Sequence, residues 1–125
     1  MEATAEWAAW FETLLKEAEQ AGPDDETAAD AVEAAVDMLE EVGPQLGRPL
    51  VDTLEGSQYP NMKELRVKFG ERHLRSLFIF DPRRTALLLV GGDKTGKWSR
   101  WYGPAMQKAE ELYADHLRKL EKGDT

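Results

Sequence analysis

Two stretches before residue 44 place apolar residues three or four positions apart, the spacing that fills one face of an α-helix. The first stripe is Trp7, Trp10, Phe11, Leu14, Leu15 and Ala18, and the second is Ala28, Val32, Ala35, Val36, Leu39 and Val42. Thr4 suits the cap of the first helix, and Gly22-Pro23 its end. The second helix is expected to start after Asp24 or Asp25 and to stop at Gly43-Pro44. The pattern predicts an antiparallel helical hairpin with a solvated acidic face.

Residues 44–62 form an irregular connection, in which Leu50–Leu54 is expected to be extended. After it, apolar residues occupy every second position. Alternation of apolar and polar residues from Lys63 predicts a strand that is buried on one side. Two more strands are expected at Leu74–Phe80 and Thr85–Val90, with Gly91-Gly92 ending the last.

A final helix is predicted by a third helical stripe that reaches Leu120, with Pro104 in its first turn. The order helix–helix–strand–strand–strand–helix is typical of an α+β fold. We therefore expect one domain over residues 1–125, in which a helical hairpin precedes an antiparallel sheet of three or four strands and a C-terminal helix.

The amino-acid composition excludes several classes of protein and of metal site. The chain has no cysteine, which excludes disulfides and Cys-ligated metal sites. Its longest apolar run, Ala86–Val90, is far shorter than the roughly 20 residues that span a membrane. The first ten residues carry acid rather than Lys or Arg, unlike a signal peptide. A soluble cytoplasmic protein without membrane contact is expected.

The net charge of −8 is distributed very unevenly along the chain. Residues 1–55 hold fifteen acidic and two basic residues, whereas residues 56–104 hold four acidic and ten basic ones. Such asymmetry indicates an anion-binding face in the second segment. The alternative is that both segments are simply solvated or attract each other.

The loop GGDKTGKWSRWY after the third strand mixes basic residues with aromatic ones. Lys and Arg bind phosphate oxygens, and aromatic rings stack on unpaired bases. Trp98 and Trp101 either serve this role or fold back onto the core. The loop lacks the spacing of a P-loop, because Lys97 is followed by Trp98. His73 is either a general base or an ordinary strand residue, and His116 falls on the apolar stripe of the last helix.

Three segments in succession, GRPLVDTLEGSQYPNMKELR, LRSLFIFDPRR and LLLVGGDKTGKWSRWY, are followed by the last amphipathic helix. From about Val42 to Leu120 this order resembles the RelE/HigB superfamily of toxins, especially its phage-derived HigB-like branch. The resemblance implies a type II toxin that cleaves mRNA on the ribosome, without metal or cofactor, and so inhibits translation. In such enzymes the RNA 2′-OH attacks the adjacent phosphate. The protein partner that the resemblance implies is a cognate antitoxin of the helix-turn-helix class.

The resemblance and the basic pattern together identify candidate site residues. The expected catalytic residues are Arg66, Arg75, Lys94 and Tyr102. The expected RNA-binding residues are Lys63, Lys68, Arg72, Lys97, Trp98, Arg100 and Trp101. No metal ligands are expected, because basic groups stabilise the charge that develops on the phosphate.

The sequence departs from the family at its start. Members usually open with a β-strand, but MEATAEWAAW does not have a strand pattern. Either that strand is missing or these residues are extended against the pattern. Three other hypotheses remain: a ParE-like gyrase poison on the same scaffold, a binding module without catalytic activity, and a soluble α+β domain with incidental basic residues.

Overall fold

A computed structural model describes residues 1–123 and confirms the α+β class. The strands are β1 (Glu2–Ala3), β2 (Val51–Thr53), β3 (Lys63–Phe69), β4 (Arg72–Phe80) and β5 (Ala86–Asp93). The helices are α1 (Ala5–Ala18), α2 (Ala28–Val42) and α3 (Ser99–Glu121), with a 3₁₀ turn at Gly43–Gln45. No helix within residues 1–123 is long and apolar enough to cross a membrane.

The sheet has five strands in the order β1-β5-β4-β3-β2, and β1 runs parallel to β5. The expectation of three or four strands, all antiparallel, is therefore wrong. The strand that the sequence pattern did not predict is Glu2–Ala3, which pairs with Leu87 and Leu88. Two residues are too few to display an alternating pattern, and a strand held by backbone hydrogen bonds leaves little mark on the sequence.

The helical hairpin is confirmed, with two boundaries shifted, since α1 ends at Ala18 and not at Gly22-Pro23. Thr4 caps α1 by accepting a hydrogen bond from the backbone N–H of Trp7 at 3.0 Å. The second helix begins later than expected, because Thr27 rather than Asp24 or Asp25 is its cap. Thr27 and Asp30 form a capping box, in which each side chain accepts from the other's backbone N–H.

The two faces of the sheet are covered differently. The hairpin α1–α2 covers one face, where the cluster of buried residues includes Leu14, Val32, Leu39, Leu65, Leu74 and Phe78. The helix α3 packs on the other face, where the buried cluster includes Leu77, Ile79, Leu89, Ala105, Ala109 and Tyr113. Strand alternation assigns neighbouring residues of β4 to opposite faces, so each side chain of this strand faces one helical layer or the other.

Gly91 and Gly92 continue β5 instead of ending it, contrary to the expectation from sequence. A Cβ at Gly91 would collide with the Trp10 ring, and one at Gly92 would lie 2.6 Å from Nε1 of Trp101. The glycines therefore allow two indole rings to approach the strand from opposite sides.

The last helix begins five residues before Pro104, so the expected first-turn position of this proline is wrong. The first hydrogen bonds are of the tighter type, from Arg100 N to Lys97 O at 3.0 Å and from Trp101 N to Trp98 O at 3.2 Å. Packing of Trp101 against Gly92 stabilises this additional turn. The extra turn carries Tyr102 to the sheet face.

Candidate functional site

The helix α3 leaves one part of its sheet face open, and charged residues of β3 and β4 fill that part. In the register of these strands Arg66 lies opposite Arg75, and Lys68 lies opposite His73. These four side chains, with Pro49 and Leu50, line a cleft of about 320 Å³. The cleft is therefore bounded mainly by groups that carry or can carry positive charge.

Arg75 lies at the floor of the cleft and is only 4% exposed. Its Nη1 donates to the carbonyl of Leu74 at 3.0 Å, and its Nε donates to Oη of Tyr102 at 3.3 Å. Directly opposed like charges destabilise a strand pair. The carboxylate of Glu64, within 3.6 Å of both guanidinium groups, offsets part of the repulsion between Arg66 and Arg75, and a bound anion would offset more of it.

Glu64 is a site residue that the sequence analysis missed. Its side chain is 11% exposed, and Oε1 accepts a hydrogen bond from the Tyr102 hydroxyl at 3.2 Å. The same oxygen lies 3.5 Å from Nε of Arg66 and 3.6 Å from Nε of Arg75. In the sequence Glu64 is one polar residue of an alternating strand. The only feature that pointed to an ion pair was its position next to Lys63 and near Arg66.

Tyr102 and Lys94 complete the cluster from α3 and the loop before it. Nζ of Lys94 donates to Oη of Tyr102 at 3.3 Å and lies 5.1 Å from the ring centroid. Burial raises the pKa of Tyr102 and Glu64 adds to this effect, although the hydrogen bond from Arg75 opposes it. The phenol is therefore neutral at pH 7 and retains a proton to donate.

The pKa of Lys94 is lowered, first by burial and then by the positive charge of Arg75, whereas Glu64 raises it. Desolvation disfavours the charged form of an amine, so the neutral fraction of Lys94 is larger than that of a solvated lysine. Lys94 and Tyr102 are thus a potential proton acceptor and proton donor that already contact each other.

Of the expected RNA-binding residues, Lys68 lines the cleft, whereas Lys63 and Arg72 lie away from it. Lys63 alternates with Glu64 and so lies on the face covered by α1 and α2. Arg72 also lies away from the cleft, where its Nη1 contacts Oε1 of Glu17 at 2.7 Å and its Nε contacts Asp93 at 3.0 Å. The hydrogen bond to Glu17 is the main cause of a raised pKa for Arg72.

The aromatic loop residues have different environments. Trp101 folds onto Gly92 and packs against the core under α3. Trp98 is 51% exposed, and its ring lies edge to face with His73 at a centroid distance of 5.0 Å. Lys97 and Arg100 are exposed, and Arg100 donates to the carbonyl of Gly96 at 3.1 Å.

The arrangement is suited to binding a phosphate group and moving protons beside it. The cluster contains one buried carboxylate, that of Glu64, and four basic side chains, those of Arg66, Lys68, Arg75 and Lys94. A second carboxylate, that of Asp52, lies at the rim, 3.8 Å from Arg66. Arginine side chains fit phosphate oxygens through paired donors, and burial strengthens such contacts. All four residues expected to be catalytic lie in this cluster.

Comparisons with known proteins support the resemblance seen in the sequence. Residues 12–114 match the family described as Phage derived protein Gp49-like (DUF891). A Mycobacterium tuberculosis protein named "Putative toxin HigB2" is 48% identical over 93 residues, which are 74% of this chain and 46% of that protein. Another from the same organism, "Putative toxin HigB3", is 54% identical over 72 residues, 58% of this chain and 61% of that protein. The chain thus spans less than two thirds of either relative. No solved structure matches it significantly.

Proposed function

This chain belongs to the Gp49-like family of phage-derived proteins, and we propose that it is the toxin of a toxin–antitoxin pair and an endoribonuclease that cleaves mRNA on the ribosome. The names of HigB2 and HigB3 support the toxin role. A cognate antitoxin is its protein partner in this proposal. The observation that carries the nuclease role is the convergence of Arg75, Lys94 and Tyr102 beside a basic cleft.

The proposed reaction uses the RNA itself as the nucleophile. The 2′-oxygen attacks the adjacent phosphorus, and the bond from phosphorus to the 5′-oxygen breaks. The products are a 2′,3′-cyclic phosphate and a 5′-hydroxyl end. Negative charge builds on the phosphate oxygens during this step, and preorganised cations stabilise it. Arg66 and Arg75 have this role in the proposal.

Lys94 and Tyr102 provide the proton transfers. Lys94 in its neutral form accepts the proton of the 2′-OH, and its lowered pKa increases the fraction of Lys94 in that form. Tyr102 donates its phenolic proton to the departing 5′-oxygen. Lys94 then returns a proton to Tyr102 across their 3.3 Å hydrogen bond, which restores both groups. Glu64 holds the Tyr102 hydroxyl when no RNA is bound.

The test is the mapping of mRNA 5′ ends by primer extension after expression of wild type and Arg75→Ala. Wild type should produce new ends, and Arg75→Ala should lose them while its circular dichroism spectrum stays native. Lys119→Ala removes a cation from the exposed face of α3 and is the matched control, with cleavage expected at the wild-type rate. Cleavage by Arg75→Ala at that rate would overturn the site assignment.

The same experiment separates the other hypotheses. A gyrase poison would leave the mRNA pool intact and produce DNA breaks. A binding module without catalysis would be harmless on expression and would still bind its antitoxin. Growth arrest without new mRNA ends rejects the nuclease.

A further inference from the structure

We propose that Trp98 and His73 form a nucleobase-binding shelf at the rim of the basic cleft, onto which one base of a single-stranded RNA stacks. The inference rests on the proposed function for its choice of RNA as ligand. It adds a subsite for a base next to the phosphate-binding residues.

The backbone of Trp98 is strained although only about half of the residue is buried. Its φ is 49° and its ψ −119°, a conformation that favours glycine. A bulky residue usually occupies such a conformation only when the surrounding structure compensates for the strain. Packing does not compensate here, because half of the Trp98 side chain is exposed. Its position is therefore better explained by a ligand than by the core.

Hydrogen bonds hold this ring beside β4. The backbone N–H of Trp98 donates to the carbonyl of Lys94 at 2.7 Å, and the N–H of Lys94 donates to the carbonyl of His73 at 2.9 Å. The N–H of His73 in turn donates to Oγ1 of Thr95 at 2.8 Å. The loop is thus anchored to the strand at His73, so the aromatic pair is preorganised and loses little entropy when a ligand binds.

The location of the shelf identifies its ligand. His73 contacts Trp98 at 5.0 Å between centroids, and it also lines the cleft with Lys68 and Arg75. A chain with a phosphate in the cleft would bring a neighbouring base to the exposed indole. Cationic grooves combined with exposed aromatic rings are the usual means of binding single-stranded nucleic acid.

Binding of a labelled single-stranded oligonucleotide, measured by fluorescence anisotropy, tests the inference. The probe carries 2′-O-methyl groups, which block self-cleavage, and a second set of probes has one abasic position each. Trp98→Gly should raise the melting temperature by relieving the strain, but weaken binding of the intact probe about tenfold, as expected from the loss of one stacked base. Trp98→Phe should bind nearly as well as wild type.

Arg84→Gly is the matched control, because Arg84 is also a non-glycine residue with positive φ, at 65°, in the β4–β5 turn. It should raise the melting temperature without weakening RNA binding. The probe whose abasic position coincides with the stacked base should bind wild type and Trp98→Gly equally, since it has no base to stack on the indole ring.

Three results would overturn the shelf: no binding of the intact probe by wild type, equal binding by wild type and Trp98→Gly, or an equal loss with every abasic probe. Loss of binding to a protein partner with unchanged RNA binding would instead identify a protein-docking residue and also reject the shelf. The assay needs no cleavage. Base-dependent binding by a protein that does not cut mRNA would therefore reject the nuclease and keep the shelf.

Discussion

The carboxylate of Asp81 links the β4–β5 turn to α3, and Asp81→Asn should destabilise the protein in a pH-dependent way. One carboxylate oxygen, Oδ2, accepts from Nε2 of His116 at 2.9 Å and from Nη2 of Arg83 at 2.8 Å. The other, Oδ1, accepts from the backbone N–H groups of Arg83 at 2.9 Å and Thr85 at 3.1 Å. The side chain is fully buried, so these donors replace water entirely.

The size of the effect follows from the pKa of Asp81. Burial alone would raise this pKa, but the hydrogen bonds from His116, Arg83 and Thr85 lower it to about 2, against an ordinary value of 3.8. At about 1.4 kcal/mol for each pKa unit, the ionised carboxylate contributes about 2 kcal/mol to the free energy of unfolding. Because the pKa is lower in the folded state, the contribution is complete above pH 4 or so and falls as pH decreases towards 2. About half should be lost at pH 3.

Urea unfolding of wild type and Asp81→Asn at pH 7 and pH 3 measures this contribution. The difference in unfolding free energy should be about 2 kcal/mol or more at pH 7 and about 1 kcal/mol smaller at pH 3. Asp115→Asn removes a carboxylate from an exposed pair with Arg118 and should change stability little at pH 7. A difference between wild type and Asp81→Asn that stays constant between the two pH values would refute the reasoning.

Gly91→Ala should lower the melting temperature in calorimetry, because the new Cβ collides with Trp10; a cost of about 1–3 kcal/mol is typical of overpacking. An unchanged melting temperature would show that α1 moves aside freely. Tyr102→Phe should keep the fold but reduce single-turnover mRNA cleavage about 10²–10⁴-fold, the range for loss of a general acid. Wild-type cleavage by this variant would exclude Tyr102 as the proton donor.

The sequence could identify the types of residue in the site but not their arrangement. Basic residues next to strands, together with the family resemblance, were sufficient to select Arg66, Arg75, Lys94 and Tyr102, which the fold brings together. Lys63 was expected to bind RNA, but strand alternation puts it on the face opposite Arg66, three residues away. The burial of Glu64 could not be predicted, because it depends on α3 crossing the sheet at Tyr102.

The sequence by itself determined the helical hairpin, the strands β3 and β4, most of β5 and the amphipathic character of α3. Those features depend on apolar periodicity and on caps within a few residues, both of which are local. Only the tertiary structure decided that Glu2–Ala3 pairs with β5, that Gly91 and Gly92 lie under indole rings, and that Glu64 meets Tyr102. Each of these contacts joins residues distant in the chain, and its energy depends on burial and hydrogen-bond partners that exist only once the layers have packed.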